Sequence, residues 1–164
     1  MKITRQWAMP NHNTFSIKPI INFIGEVPKN SIDPFARNSK IANITNDINP
    51  KFDTTHNMDA LDFLKRITSE STEMVLFDPP YSLRQLKECY DGIGVSMTQR
   101  ESQHFFSDLK NEIARITCVG GEVLSFGWNS VGMGKSRGFE IVEIMLVSHG
   151  GIHNDTICVR EVKR

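Results

Sequence analysis

Residues 73–77, EMVLF, form an almost wholly apolar run that stops at Asp78-Pro79-Pro80-Tyr81. A short apolar run bounded by prolines reads as a strand buried on both faces of a parallel sheet. The two prolines fix φ and offer no N–H, so the strand ends there. The rest of the chain fits such a sheet. Strand-like SIDPF, residues 31–35, is stopped by Pro34, and β-branched residues 41–45 predict a second strand with Asp47 just past its end. Met58, Leu61, Leu64 and Ile67 recur at helical spacing. Thr98 and Glu101 have capping-box spacing before a helix whose apolar face is Phe105, Leu109, Ile113 and Ile116, with Gly120 and Gly121 as its expected end. EVLSFGW is a further strand. FEIVEIMLV and NDTICVREV, joined by HGGIH, predict an antiparallel pair. Residues 17–24 read as a short helix or apolar anchor, and the polar residues 1–16 as no regular element. Residues 82–97 read as a mobile loop or one containing a short helix, and residues 129–138 as a flexible loop touching substrate or a partner.

Strands alternating with helices argue for an α/β fold with a mostly parallel sheet and a C-terminal antiparallel hairpin. In such sheets ligands bind beyond the carboxyl ends of the strands. Asp33, Asp47 and Asp78 all fall at predicted strand ends, which points to one shared site. The 164 residues suit a single domain, 1–164.

The segment after the apolar strand carries the chemistry. Without N–H groups at Pro79 and Pro80, this turn presents carbonyl acceptors, and Asp78 adds a carboxylate. Tyr81 offers a flat face for stacking. Acceptors beside a stacking ring suit an exocyclic amino group on a planar heterocycle.

This segment resembles the catalytic motif of the amino-methyltransferases, which methylate adenine N6 or cytosine N4 with S-adenosylmethionine. The form DPPY is most similar to adenine-N6 DNA methyltransferases, and the chain resembles short members associated with phages and mobile elements. The resemblance implies a Rossmann-like S-adenosylmethionine-dependent fold and a catalytic set of Asp78, Pro79, Pro80 and Tyr81. Asp33, Pro34 and Phe35 resemble the family's cofactor motif. Asp47, with Ile48 beside it, matches the acidic position that binds the cofactor's ribose, and Asp59 the one that bonds its adenine amine. TFSIKPI, residues 14–20, resembles the segment that closes over the methionine end, where Lys18 would meet the cofactor's carboxylate and Asp78 would complete the pocket.

The chain departs from the family pattern in three places. Arg37 stands where a glycine usually lets the backbone approach the cofactor. Only five residues separate Phe35 from Ile41, against about a dozen for a parallel crossover. The first crossover helix is therefore reduced or absent, which leaves one wall of the cofactor pocket incomplete unless the N-terminal segment or a second subunit fills it. No segment is long enough for a separate target-recognition region. That leaves Arg84, in 82–97, and Lys135 and Arg137, in 129–138, as DNA contacts. The balance of 19 basic and 19 acidic residues gives little non-specific attraction to phosphate. A homodimer, a partner subunit or a single-stranded substrate would compensate. N6-adenine methylation of RNA, N4-cytosine methylation and a weak S-adenosylmethionine-binding subunit remain as alternatives.

Other features point to no second chemistry. Cys89, Cys118 and Cys158 lie far apart and form no zinc motif. His149, His153 and Asp155 match no metal spacing and read as a polar hairpin turn, so no metal is expected. GMGKSRG lacks the spacing of a phosphate loop. Trp7 and Trp128 suit stacking or burial equally. No run approaches the roughly 20 apolar residues of a membrane span, and no signal-peptide core is present, so a cytoplasmic protein is expected.

Overall fold

Thr72–Phe77 forms the strand that the apolar run predicts, here β4, and the sheet builds outward from it. The computed structural model describes residues 1–96 and 99–164, with the backbone alone for 99–103. The elements are β1 (Lys2–Trp7), α1 (Lys18–Ile24), β2 (Ser31–Asp33), β3 (Ile44–Thr45), α2 (Ala60–Arg66), β4, α3 (Leu83–Asp91), α4 (Gln99–Ile116), β5 (Thr117–Gly127), β6 (Phe139–Ser148) and β7 (Thr156–Lys163). The seven strands lie in the order β1-β6-β7-β5-β4-β2-β3. All pairings are parallel except β5 with β7 and β6 with β7. The expected α/β sheet with its C-terminal antiparallel hairpin is present.

Successive residues of β4 serve opposite layers, because strand side chains alternate in direction. Val75 and Phe77 join α2, α3 and α4 in one core through Phe63, Leu86 and Leu109. Met74 and Leu76 join α1 in the other through Ile20, Phe23 and Ile24. Phe105, Leu109, Ile113 and Ile116 are buried as their spacing predicts. No helix among the described residues is long and apolar enough to cross a membrane.

Three boundaries differ from the sequence reading. Residues 2–7 form the edge strand β1, which is almost wholly exposed and pairs with β6 through its backbone. A strand exposed on both faces has no apolar alternation to read. The second strand keeps only Ile44 and Thr45. The helix α4 ends at Ile116 and passes straight into β5, and Gly120 and Gly121 lie inside that strand. Gly120 has φ +82, and a Cβ on Gly121 would stand 2.9 Å from the Cys118 carbonyl. The pair thus serves an irregularity opposite the β4 register shift between Thr72 and Met74. Residues 82–97 contain a short helix, one of their two sequence readings, in the nine-residue α3. The Thr98–Glu101 capping pair lies outside the described residues.

Candidate active site

Asp78 leaves β4 at the sheet's carboxyl edge, between the ends of β2 and β5. Three devices fix the turn that follows. The prolines at 79 and 80 hold the backbone. The Tyr81 hydroxyl donates to Asp78 Oδ1 at 2.8 Å. Ser82 then caps α3 by accepting from Gln85 N–H at 3.2 Å, while Gln85 Oε1 accepts from Tyr81 N–H at 2.8 Å. This reciprocal pair is a variant of the capping box. Its signal, Ser82-x-x-Gln85, is legible in the sequence. Trp128, just past β5, meets the Tyr81 ring edge-on at 5.2 Å between centroids.

A cavity of about 1110 Å³ opens beside this turn. Its lining includes Asp78–Tyr81, Asp47 and Ile48, residues 34–41, and the N-terminal residues 10–17. Asp33 lies fully buried beneath it, with Oδ1 accepting from Phe35 N–H at 3.0 Å and Oδ2 without a partner among the described residues. Asp47 Oδ1 accepts from Asn49 N–H at 2.9 Å, and Oδ2 from Arg37 N–H at 3.0 Å.

The first crossover helix is absent, as the short spacing from Phe35 to Ile41 implies: residues 34–43 run between β2 and β3 as turns and bends. Arg37 adopts φ +50, the left-handed conformation that favours glycine. Its N–H thereby reaches Asp47. Its side chain turns outward, where Nη1 donates to the His12 carbonyl at 3.1 Å and the guanidinium stacks 5.8 Å from the Phe52 centroid. The N-terminal segment thus supplies the missing wall, and Arg37 ties it down.

Burial raises the pKa of all three carboxylates. Asp33 stands well above its ordinary value, chiefly through burial, with the charges of Asp78 and Asp47 adding to it. Burial also raises Asp47, against its two backbone hydrogen bonds and the Arg37 charge. Asp78 is pushed up to about 6 by burial, with the Thr14 and Tyr81 hydroxyls opposing. Three carboxylates under one cavity favour a cation.

The remaining sequence candidates are dispersed. Asp59 caps α2, with Oδ1 accepting from Leu61 and Asp62 N–H and Oδ2 from the Tyr90 hydroxyl, and it does not line the cavity. Lys18 is exposed at the start of α1 and faces a separate groove against β1. Arg84 is exposed and paired with Glu88. Lys135 and Arg137 do not line the cavity either. Their loop lies along α4, where Arg137 donates to Asn111, Ser107 and the Met133 carbonyl. Buried Glu161 holds the same loop by accepting from Met133 and Gly134 N–H. The expected flexible loop is therefore anchored, by partners that local sequence does not reveal. Trp7 is exposed on β1.

No protein-family model and no curated protein matches the chain. Solved structures do. TrmN from Thermus thermophilus superposes with a TM-score of 0.60 at 16% identity, over 90% of this chain and 48% of that one. A Burkholderia thailandensis 1,6-didemethyltoxoflavin-N1-methyltransferase, solved with 1,6-didemethyltoxoflavin and S-adenosylhomocysteine, gives 0.56 at 8% identity, over 89% and 75%. TYW2 from M. jannaschii, in complex with AdoMet, gives 0.51 at 6% identity, over 95% and 78%. The chain spans about half the length of TrmN. These likenesses establish the fold: a mixed, mostly parallel α/β sheet of the Rossmann-like methyltransferase type.

Proposed function

We propose that the protein transfers a methyl group from S-adenosylmethionine to the exocyclic N6 of adenine in DNA. The observation that carries this reading is the Asp78-Pro79-Pro80-Tyr81 turn at the carboxyl end of β4, opening on a cavity with Asp47 on its far side. Two of the superposing proteins were solved with S-adenosylhomocysteine or AdoMet.

The residues present fit this cofactor. It carries a sulfonium and an ammonium, and the cavity sits over Asp33, Asp47 and Asp78. Each Asp47 oxygen accepts one N–H and keeps a lone pair for a ribose hydroxyl. Phe35 and Ile48 supply apolar wall. When bound, S-adenosylmethionine supplies an electrophilic methyl group.

The chain's own residues then act on the amine. Ionised Asp78 accepts from N6–H and turns the nitrogen lone pair toward the electrophile. Tyr81, backed by Trp128, provides the aromatic surface for the base. As the N–C bond forms and the methyl–sulfur bond breaks, with S-adenosylhomocysteine as the leaving group, the nitrogen would lose a proton, and a carboxylate with a pKa of about 6 is matched to accept it and pass it to water. Catalysis rests on positioning and electrostatic alignment. No residue forms a covalent intermediate and no metal takes part. A homodimer or partner subunit would extend the short DNA-contacting surface.

The test is methyl transfer from radiolabelled S-adenosylmethionine to unmethylated duplex DNA, single-stranded DNA and RNA, with digestion of the products to nucleosides. Label in N6-methyldeoxyadenosine, lost in Asp78→Ala, is the expected result. Label in N4-methylcytosine or only in RNA would move the target. Absence of label despite cofactor binding would shift the reading to a subunit that needs a partner.

A further inference from the structure

The hairpin between β6 and β7 plays no part in the mechanism above, yet its loop lines the same cavity. His149, Ile152, His153 and Asn154 all contribute to that lining, alongside Tyr81 and Trp128. Resting on the DNA-methylation reading, we propose that this hairpin is a wedge for duplex DNA: Ile152 enters the base stack and fills the gap left when the target base turns out into the cavity.

The hairpin has a tied stem and a bare apolar tip. His149 is buried, with Nδ1 at 2.9 Å from the Ala8 carbonyl and Nε2 at 2.9 Å from Thr156 Oγ1. Asp155 accepts from His149 N–H at 3.1 Å and from the Ser148 hydroxyl at 3.3 Å. Gly150 and Gly151 then take φ +68 and +59, a reversal closed by His153 N–H on the Gly150 carbonyl. Ile152 emerges 98% exposed, the most exposed of the chain's large apolar side chains among the described residues. A solitary exposed apolar residue is ordinary, but position separates this one. Of the exposed large apolar side chains among the described residues, Ile152 and Trp128 alone line the cavity.

Extrusion of a base leaves its neighbours unstacked, and proteins that open duplexes insert apolar side chains at such steps. An aliphatic side chain on a braced hairpin, beside the acceptor turn and the aromatic wall, suits that gap. His153 and Asn154, both exposed, place donors next to it for the flanking phosphates. A single-stranded substrate has no stack to fill and gains nothing from the wedge.

That difference is the test. Methyl transfer is measured for the wild type, Ile152→Ala and Ile152→Leu on a duplex and on its separated target strand. Because Ile152 is almost fully exposed, neither substitution should move the melting temperature. Ile152→Ala should lower kcat/KM on the duplex about 10- to 100-fold and stay within about twofold on the single strand, while Ile152→Leu should retain most duplex activity. Equal loss on both substrates, or no loss on the duplex, would overturn the wedge. A wild type that methylates single strands but not duplexes would overturn it while leaving the methylation reading intact. A wild type that methylates no nucleic acid would fell both.

Discussion

Two loops leave neighbouring strands at the same sheet edge, and they are held by opposite means. The turn after β4 is stiff by its covalent structure, with two prolines in a row and a tyrosine folded back on Asp78. The segment after β2 has neither a proline pair nor the helix that normally braces a parallel crossover. It is held from outside by Asp47, by the His12 carbonyl through Arg37, and by Asn46, whose side chain donates to the Pro34 carbonyl at 3.2 Å. The first loop brings its geometry with it; the second borrows its own from the N-terminal segment and β3. Damage to the first should therefore touch chemistry, and damage to the second should touch binding.

The largest expected effect tests the chemical half. Asp78→Ala should lower turnover by about 1,000-fold or more, since it removes the proposed acceptor for the reacting amine, while calorimetry should find cofactor affinity largely kept. Near-normal turnover would remove Asp78 from the mechanism. The binding half comes next. Asp47→Ala should weaken cofactor binding by about 10- to 100-fold, because it deletes both the proposed ribose acceptor and the anchor of Arg37 N–H. If Asp47→Ala instead left affinity unchanged and lowered only turnover, the division of labour between the loops would collapse.

The same contrast explains what the sequence discloses. The apolar run, the prolines and Tyr81 are contiguous, so strand, turn and candidate site can be read together. The hairpin is equally legible, because β6 and β7 are close in sequence and each is long. The missing helix could be counted from Phe35 to Ile41. What replaces it could not, since the His12–Arg37 contact joins residues 25 apart through a backbone carbonyl. Lys135 and Arg137 suggested a DNA-contacting loop by composition, yet Asn111, Ser107 and Glu161 tie that loop to α4 and β7. Edge strand β1 was hidden for a related reason. It is held by backbone bonds to β6, and its side chains carry no signature.

A smaller effect is expected at Arg37, where two functions share one residue. Arg37→Gly and Arg37→Ala both remove the tie to His12, and each should weaken cofactor binding by about tenfold. They should differ in stability. Alanine must hold φ +50 against its Cβ, whereas glycine holds it freely, so the glycine variant should be the more stable by about 1 kcal/mol in chemical denaturation. Wild-type affinity in both variants would show that the N-terminal wall needs no latch.

The smallest effect separates the two carboxylates by the sign of a stability change. Burial raises the pKa of Asp78 from the ordinary 3.8 of an aspartate to about 6. Between those values the folded state holds a proton that the unfolded state has released. Stability from this group is therefore complete below the lower value and is lost as pH rises through the upper one. Asp78→Asn is neutral throughout and still offers Oδ1 to Tyr81, so it escapes that loss. Its melting temperature should exceed that of the wild type by a few degrees at about pH 8, with the gain vanishing near pH 4. Asp47 is also raised by burial, but both its oxygens accept backbone N–H groups. Asp47→Asn sets an amide N–H against one of those donors and should lower the melting temperature at neutral pH. Opposite signs at the two positions would separate a carboxylate kept for chemistry at a cost in stability from one that holds its loop in place. A loss at both would make Asp78 as structural as Asp47.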